Sequence, residues 1–545
     1  MQRATRSGGR RTTPSAMRWG VGWDGADYAI VIIGAIATFF VHPVHLMLSR
    51  PYWFDESWVA ALTRAPFARL PALRSSAPIG FVALLKLVPG SGLQRGRLLV
   101  VAFSAATVVV SYVLVRSLSW KSAAIARYAA AVVGLAVMLT PLSLLRNDLK
   151  QYTCDGFCAV LLLTLAAWVD RDPDRKPLVW LAVAAVLTPP FSSTALFVVG
   201  AVFVGVFISA MLDGAKWRAF DILVAGGVVA IALVVYFSAV MAPTLNSKLR
   251  AYWAQYYLHG SPITMVRDTW DRLVALAPDL AMPAAVFLAL LVCGIVVLVR
   301  LRARAIAIAL PLLWVEMAIV GRFERYPFLD LRTSHFLLVS SLVVVVLGAL
   351  GVVGEVRRRL RATGTVVGAD GVIVVIAIFV ILFMVGFVPY LDRLHLPVED
   401  VRAETIAVAH RRNPTDVILV NMSANFGFSY YWPHGHVRLD RNDSGQGFGA
   451  HVVGLGAIYV PSSRSDDVLA SLREAVNRLR RARPGSRLYI VRSHVAPIEE
   501  ASWQHALAVL HLKPRVVRTG GDPLLVVGPL APAPPRAARV AAPHA

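Results

Sequence analysis

The sequence predicts a polytopic α-helical membrane protein of about eleven spans with a small C-terminal extracytoplasmic α/β domain. Three observations lead there. Of 545 residues, 57% are hydrophobic and only 16% charged, with a mean hydropathy of +0.62, where a soluble chain carries about a quarter charged residues. Apolar runs close to the roughly 20 residues that cross a bilayer recur through most of the chain. Beyond about residue 392 the runs stop, charge returns and short alternating segments appear.

Helices are the expected spanning elements, because a helix satisfies its own backbone hydrogen bonds in lipid. Hydropathy places them at 28–48, 97–117, 125–145, 154–170, 177–190, 191–212, 219–242, 281–300, 304–320, 334–353 and 371–391. Pro189 and Pro190 join the fifth and sixth as a tight hairpin. The first 27 residues form a cytoplasmic basic N-terminus with Arg3, Arg6, Arg10, Arg11 and Arg18, and no signal-cleavage pattern follows. With that end inside, the inner loops hold Arg116, Lys121, Arg127, Arg171, Arg175, Lys176, Lys216, Arg218, Arg300, Arg302, Arg304 and Arg357. That satisfies the positive-inside rule. The net charge of +23 is spread between spans rather than gathered in one stripe, which argues against a nucleic-acid binder. Cys154, Cys158 and Cys293 have neither zinc spacing nor a disulfide framework and read as packing residues.

Three outer segments are long. The first, 48–96, is amphipathic and punctuated by proline, so helices along the interface are expected. The second, 244–280, is rich in aromatics. The third, 392–529, reads as the α/β domain, with strands at 416–421, 487–491 and 524–527 and helices at 465–481 and 499–510. The tail 530–545 reads as disordered.

Three stretches on the outer side carry chemistry. In Arg50-Pro51-Tyr52-Trp53-Phe54-Asp55-Glu56-Ser57-Trp58, two adjacent carboxylates stand at a membrane boundary, a costly place unless they are exposed or used. One reading makes Asp55 a general base toward an acceptor hydroxyl. The other makes it a helix N-cap, with Glu56 in the first turn and Trp58 an interface anchor. In Arg146-Asn147-Asp148-Leu149-Lys150-Gln151-Tyr152-Thr153-Cys154-Asp155, Asp148 reads as a second acid or metal ligand and Lys150 as a phosphate ligand, or the set is an ordinary charged loop. Between the ninth and tenth spans, Arg322, Arg325 and Arg332 are suited to two-pronged phosphate contacts, or to loop ion pairs. Glu316 lies inside a span and is expected to face a cavity or partner. His42 with His45, and His434 with His436, are weaker metal candidates. The aromatic run 425–432 reads as sugar-stacking or as core.

The three motifs, in this order and on one side, resemble the GT-C glycosyltransferases, in the branch of the protein O-mannosyltransferases and the lipid A aminoarabinose transferase. Asp55-Glu56 matches the acid of the first outer loop, and Ala77-Pro78 and Arg97 match the family's Pro and Arg positions. Asp148-Leu149-Lys150-Gln151-Tyr152 is similar to a stretch that usually begins with glutamate, and Tyr326-Pro327-Phe328 to Arg332 matches a later segment. The resemblance covers 50–210 and 320–345. It implies a GT-C transmembrane catalytic domain over 28–391 and a polyprenyl-phosphate sugar donor in the membrane lipid. It implies a cell-envelope acceptor, inversion at the sugar, and an active site outside the bacterial plasma membrane. On it, Asp55, Glu56 and Asp148 are the catalytic residues. Lys150, Tyr152, Arg325 and Arg332 hold the donor phosphate, and a divalent cation, if used, sits on Asp148 or Glu56. The competing reading is a transporter or flippase of lipid-linked sugar, which favours inverted repeats and mid-membrane charges.

Overall fold

The computed structural model describes residues 23–73, 77–90, 92–144, 148–242, 250, 252–362, 399–441, 447–518 and 523–529. Its bundle is built from α1 (Gly25–Val41), α2 (Val44–Ser49), α3 (Phe54–Leu62), α4 (Ile79–Leu87), α5 (Arg97–Arg116), α6 (Ala123–Leu139) and α7 (Pro141–Leu144), followed by α8 (Tyr152–Arg171), α9 (Arg175–Leu187), α10 (Ala195–Leu212) and α11 (Lys216–Tyr236). After it come α12 (Pro262–Ala275), α13 (Ala277–Leu280), α14 (Ala284–Arg300), α15 (Arg304–Arg322) and α16 (His335–Ala362). Among the described residues six helices, α5, α8, α10, α11, α15 and α16, are long and apolar enough to cross a membrane, and α1, α6 and α14 are shorter apolar helices. Helix α9 has 13 residues. It rises about 20 Å, short of a bilayer core of about 30 Å, so the fifth expected span is not a full crossing by itself. The eleventh, 371–391, lies outside the described residues.

Close packing rests on small residues. A Cβ on Gly294 of α14 would stand 2.0 Å from the Val344 carbonyl oxygen of α16, and one on Gly348 would stand 2.0 Å from that of Leu290. The two backbones therefore touch, as in membrane helix pairs built on small residues. Polar staples fix one end of the bundle. The Asp27 carboxylate accepts from Arg116 at 2.8 and 3.1 Å and from the Tyr112 hydroxyl at 2.5 Å, and both members of the ion pair are fully buried. Asp170 accepts from Ser209 and from the Ala305 amide, tying α8, α10 and α15. Glu316 lies half-buried against Gly200 of α10.

The other end of the bundle carries the segment 48–96, and the structure corrects the expectation for it. Helix α3 does not lie on the interface. Every residue from Glu56 to Leu62 is buried, Trp58 included, so that tryptophan is a core residue and not an interface anchor. What covers α3 is the C-terminal unit: α17 (Val401–Arg411), β1 (Val417–Val420), α18 (Ala424–Tyr431), β2 (Val437–Arg441), β3 (Phe448–Val452), β4 (Ile458–Tyr459), α19 (Ser465–Arg481), β5 (Leu488–Val491), α20 (Pro497–Val509), β6 (Arg515–Arg518) and β7 (Leu524–Val527). Its main sheet has the order β4-β1-β5-β7-β6, with β1 parallel to β4 and β5 and β7 antiparallel to its neighbours; β2 and β3 form a separate antiparallel pair. The aromatic run 425–432 is mostly helix α18. Phe426 and Phe428 are fully buried and Phe426 packs on Phe54 and Trp58, so core packing, not sugar stacking, accounts for it.

Removing Asp27 strands a buried guanidinium, which costs about 3–5 kcal/mol. Asp27→Ala is therefore expected to lower the melting temperature of the purified protein strongly, whereas Asp221→Ala, at an ion pair whose arginine is largely exposed, leaves it nearly unchanged. Melting followed by intrinsic fluorescence checks both.

Candidate active site

Arg97 opens α5 and is fully buried. Its Nε donates to Glu56 Oε1 at 2.7 Å and its Nη2 to Glu56 Oε2 at 2.5 Å. The other N–H groups donate to the carbonyls of Met47, Arg50 (2.6 Å) and Pro51 (3.0 Å). All five guanidinium donors are thereby used. Glu56 is equally filled: Oε1 also accepts the Leu149 amide at 2.8 Å and Oε2 the Trp53 amide at 3.3 Å. Glu56 is thereby held in place one residue from Asp55, the residue it is expected to support. Its carboxylate is spent on Arg97 and two backbone amides, and it offers no free face to a substrate or a metal.

The same contacts bring the neighbours together. Helix α3 is N-capped at Trp53, so Asp55 is the second helical residue and not the cap. Because Glu56 grips Leu149, the adjacent residues Asp55 and Lys150 meet: Nζ lies 4.0 Å from Oδ1. On the other carboxylate oxygen, Arg332 Nη1 donates at 3.3 Å. Lys150 is buried, with its ammonium 4.9 Å from the Trp58 ring centroid. Arg332 stands 5.3 Å from the centroid of Trp253. Burial works against the Arg332 charge, but Tyr152, Tyr252, Asp330 and Asp55 around it hold its pKa above the ordinary value. Asp55 and Arg332 each keep about a fifth of their side-chain surface open. The cluster is therefore partly accessible at the protein surface.

Loop 323–334 aims Arg332. Asp330 Oδ2 accepts the Arg332 amide at 3.1 Å and the Thr333 amide at 2.9 Å, a short polar turn that leads into α16. Tyr326 donates its hydroxyl to the Thr333 carbonyl at 3.2 Å, and burial pushes that phenol well above its usual pKa. On the facing segment, Arg272 of α12 donates to the carbonyls of Gln255, Tyr256, Tyr257 and Phe328. It locks the aromatic run beside Arg332. Sequence reasoning passed over Arg272, since nothing local separates it from the other arginines.

Of the remaining candidates, Asp148 is half-buried beside Lys150, and Tyr152 is buried at the start of α8 within the electrostatic reach of Asp148, Asp55 and Arg332. Arg325 is exposed. His42 is buried in a small pocket lined by Thr38, Ser104, Thr107, Val108 and Met138 while His45 is exposed, so the two histidines do not converge; His434 and His436 are both exposed. Cys154 and Cys158 are buried free thiols 4.0 Å apart. Among the described residues no group of three acidic, histidine or cysteine side chains is placed to hold a metal ion. A divalent cation does not fit Asp55 either. Two unit charges 4 Å apart interact by about 4 kcal/mol at an effective dielectric of about 20, and Lys150 and Arg332 both oppose a third cation there.

No protein-family model matches the chain, and no curated protein matches it. Solved structures do. ArnT from Cupriavidus metallidurans bound to undecaprenyl phosphate matches with a TM-score of 0.55 and 15% identity over 93% of this chain and 99% of that one. Its apo form matches with 0.55 and 14% over 93% and 100%. The Archaeoglobus fulgidus oligosaccharyltransferase in complex with Zn and sulfate matches with 0.51 and 10% over 85% and 67%. The chain therefore shares the fold of these proteins.

The division between the two adjacent acids is measurable. Glu56→Gln breaks a buried ion pair and is expected to cost about 3–5 kcal/mol. Asp55→Asn, at a part-exposed pair, should cost within about 1 kcal/mol. Thermal melting of the two purified variants should separate them clearly. An equal fall in both would contradict the assignment.

Proposed function

We propose that this protein is a membrane glycosyltransferase that moves a sugar from a polyprenyl-phosphate donor to a cell-envelope acceptor, outside the bacterial plasma membrane. The observation that carries the reading is a carboxylate held between two cations, Lys150 and Arg332, that arrive from separate segments of the chain. The ArnT structure that shares the fold is one bound to undecaprenyl phosphate. The orientation is supported by the arginines and lysines at the opposite end of the bundle, among them Arg116, Arg127, Arg171 and Arg218.

The donor is a phosphodiester that gains negative charge as the sugar leaves. Lys150 and Arg332 move from Asp55 to the phosphate oxygens, where fixed cations stabilise charge that develops in the transition state. Tyr152 adds its hydroxyl. Released from its pairs, Asp55 takes the proton of the acceptor hydroxyl. The acceptor oxygen bonds to the anomeric carbon, the bond from that carbon to the phosphate oxygen breaks, and its electron pair stays on the phosphate. Attack opposite the leaving group inverts the configuration. Asp148 helps place Lys150 or the acceptor. The two side-chain cations supply the positive charge that a divalent ion would otherwise bring, so no step needs one.

Purified protein in lipid nanodiscs, given radiolabelled polyprenyl-phosphate sugar and an envelope extract, should release labelled product. Movement of the intact donor between leaflets without product would sink the proposal in favour of a transporter. Asp55→Asn should lower the rate by about 10² or more. Chelator should leave wild-type turnover unchanged.

Lys150→Ala and Arg332→Lys should each weaken donor binding by about ten- to a hundredfold, from charge-assisted contacts of roughly 1.5–3 kcal/mol. Lysine at 332 loses the planar two-pronged contact. Donor titrations at fixed acceptor measure this. A shift confined to the acceptor would put the phosphate elsewhere.

A further inference from the structure

The helix that carries Asp55 is held at its first residue by the far C-terminal part of the chain. The amide of Phe54 is the first helical donor of α3 and has no partner within the helix. It donates to Glu399 Oε2 at 3.0 Å, across 345 positions of sequence. The same carboxylate accepts the Ser493 hydroxyl at 3.2 Å and pairs through Oε1 with His494 Nδ1 at 2.6 Å. The His494 ring stacks on the Phe54 ring, centroids 5.0 Å apart and planes 16° from parallel. His494 holds a left-handed backbone, φ 55°. A residue without glycine's freedom keeps such a conformation only where its surroundings fix it.

Those surroundings are the carboxyl ends of the parallel strands β1 and β5. Asn421, fully buried after β1, donates to the Ser493 carbonyl at 3.1 Å and to Glu499 at 3.1 Å and accepts the Ser493 amide at 3.2 Å. A continuous set of short contacts thus runs from the sheet through Asn421, Ser493 and Glu399 to Phe54, and the next residue is Asp55. Nearby, Tyr431 of α18 accepts the Tyr52 amide at 2.7 Å, a second grip on the same approach.

We infer that Glu399, with His494, is a positioning residue for the Asp55 helix, so that the C-terminal domain is part of the catalytic apparatus and not an appendage. The geometry makes this consequential. A side chain on α3 reaches about 5 Å from the helix axis, so a rotation of about 10° moves the Asp55 carboxylate by about 1 Å. A misplacement of about 1 Å at a reacting group costs about a hundredfold in rate. Among the attachments that oppose that rotation are Glu56 to Arg97, Phe54 to Glu399, and the Phe54 ring to His494.

The catalytic arm of the test rests on the function proposed above; the structural arm does not. Full-length protein in nanodiscs is compared with Glu399→Ala and Glu399→Gln by hydrogen–deuterium exchange, melting and transfer kinetics. Alanine removes the acceptor for the Phe54 amide, while glutamine keeps an oxygen there. For Glu399→Ala, amide exchange at 53–56 should quicken by about tenfold or more. Its kcat should fall about ten- to a hundredfold with donor KM within about twofold. Glu399→Gln should restore protection and most of kcat. Unchanged exchange in Glu399→Ala overturns the inference, whatever the assay gives. So does an equal loss of kcat in both variants that follows melting temperature. If wild-type protein transfers no sugar, the proposed function fails, and the exchange data still decide whether Glu399 holds the helix.

Discussion

The Arg97–Glu56 pair is the interaction on which the site depends. Two charges buried this deeply cost several kcal/mol each unless every hydrogen-bonding valence is met. Here each is met, and the partners that meet them come from the end of α2, the start of α3, the start of α5 and the loop before α8. The requirement to satisfy one buried guanidinium thus fixes the relative placement of four chain segments. Asp55 and Lys150 are each one residue away from a member of this knot. Their approach follows from it and needs no strong attraction of its own, which suits the parting on donor binding proposed above.

The two ends of the bundle handle charge differently. At the end that holds Asp27, the buried pair with Arg116 is closed, hydrogen-bonded on both carboxylate oxygens and shut off from solvent. At the other end, Asp55 and Arg332 remain partly open at longer range, and two aromatic faces, Trp58 and Trp253, lie against the cations. An aromatic face stabilises a cation without competing for its hydrogen-bond donors. Lys150 and Arg332 can therefore be concentrated near one another and still offer their N–H groups to an anionic ligand.

Much of this was legible in the sequence, for physical reasons that also mark where legibility ended. Apolar runs report helices, because lipid leaves the backbone few alternatives: among the described residues six expected runs fall on helices long and apolar enough to cross a membrane and three on shorter apolar helices. The amphipathic pattern at 465–481 gave the limits of α19, and 524–527 those of β7. The motifs around Asp55, Lys150 and Arg332 could be read, since their residue types are expensive at a membrane boundary. Which of Asp55 and Glu56 is structural could not, because it is decided by Arg97, 41 positions away from Glu56. Glu399 and His494 left no local signal at all. Helix α18 was hidden by its aromatic density, and β2 by Arg438, Asp440 and Arg441, which blur alternation.

The central claim is that Lys150 and Arg332 exchange the Asp55 carboxylate for a lipid-borne phosphate. The most direct measurement is a cryo-EM structure of the full chain in nanodiscs with bound polyprenyl phosphate. The account predicts phosphate oxygens within hydrogen-bonding distance of Lys150 Nζ and the Arg332 guanidinium, with Arg332 drawn off Asp55. A phosphate bound elsewhere, with both cations still on Asp55, would contradict it.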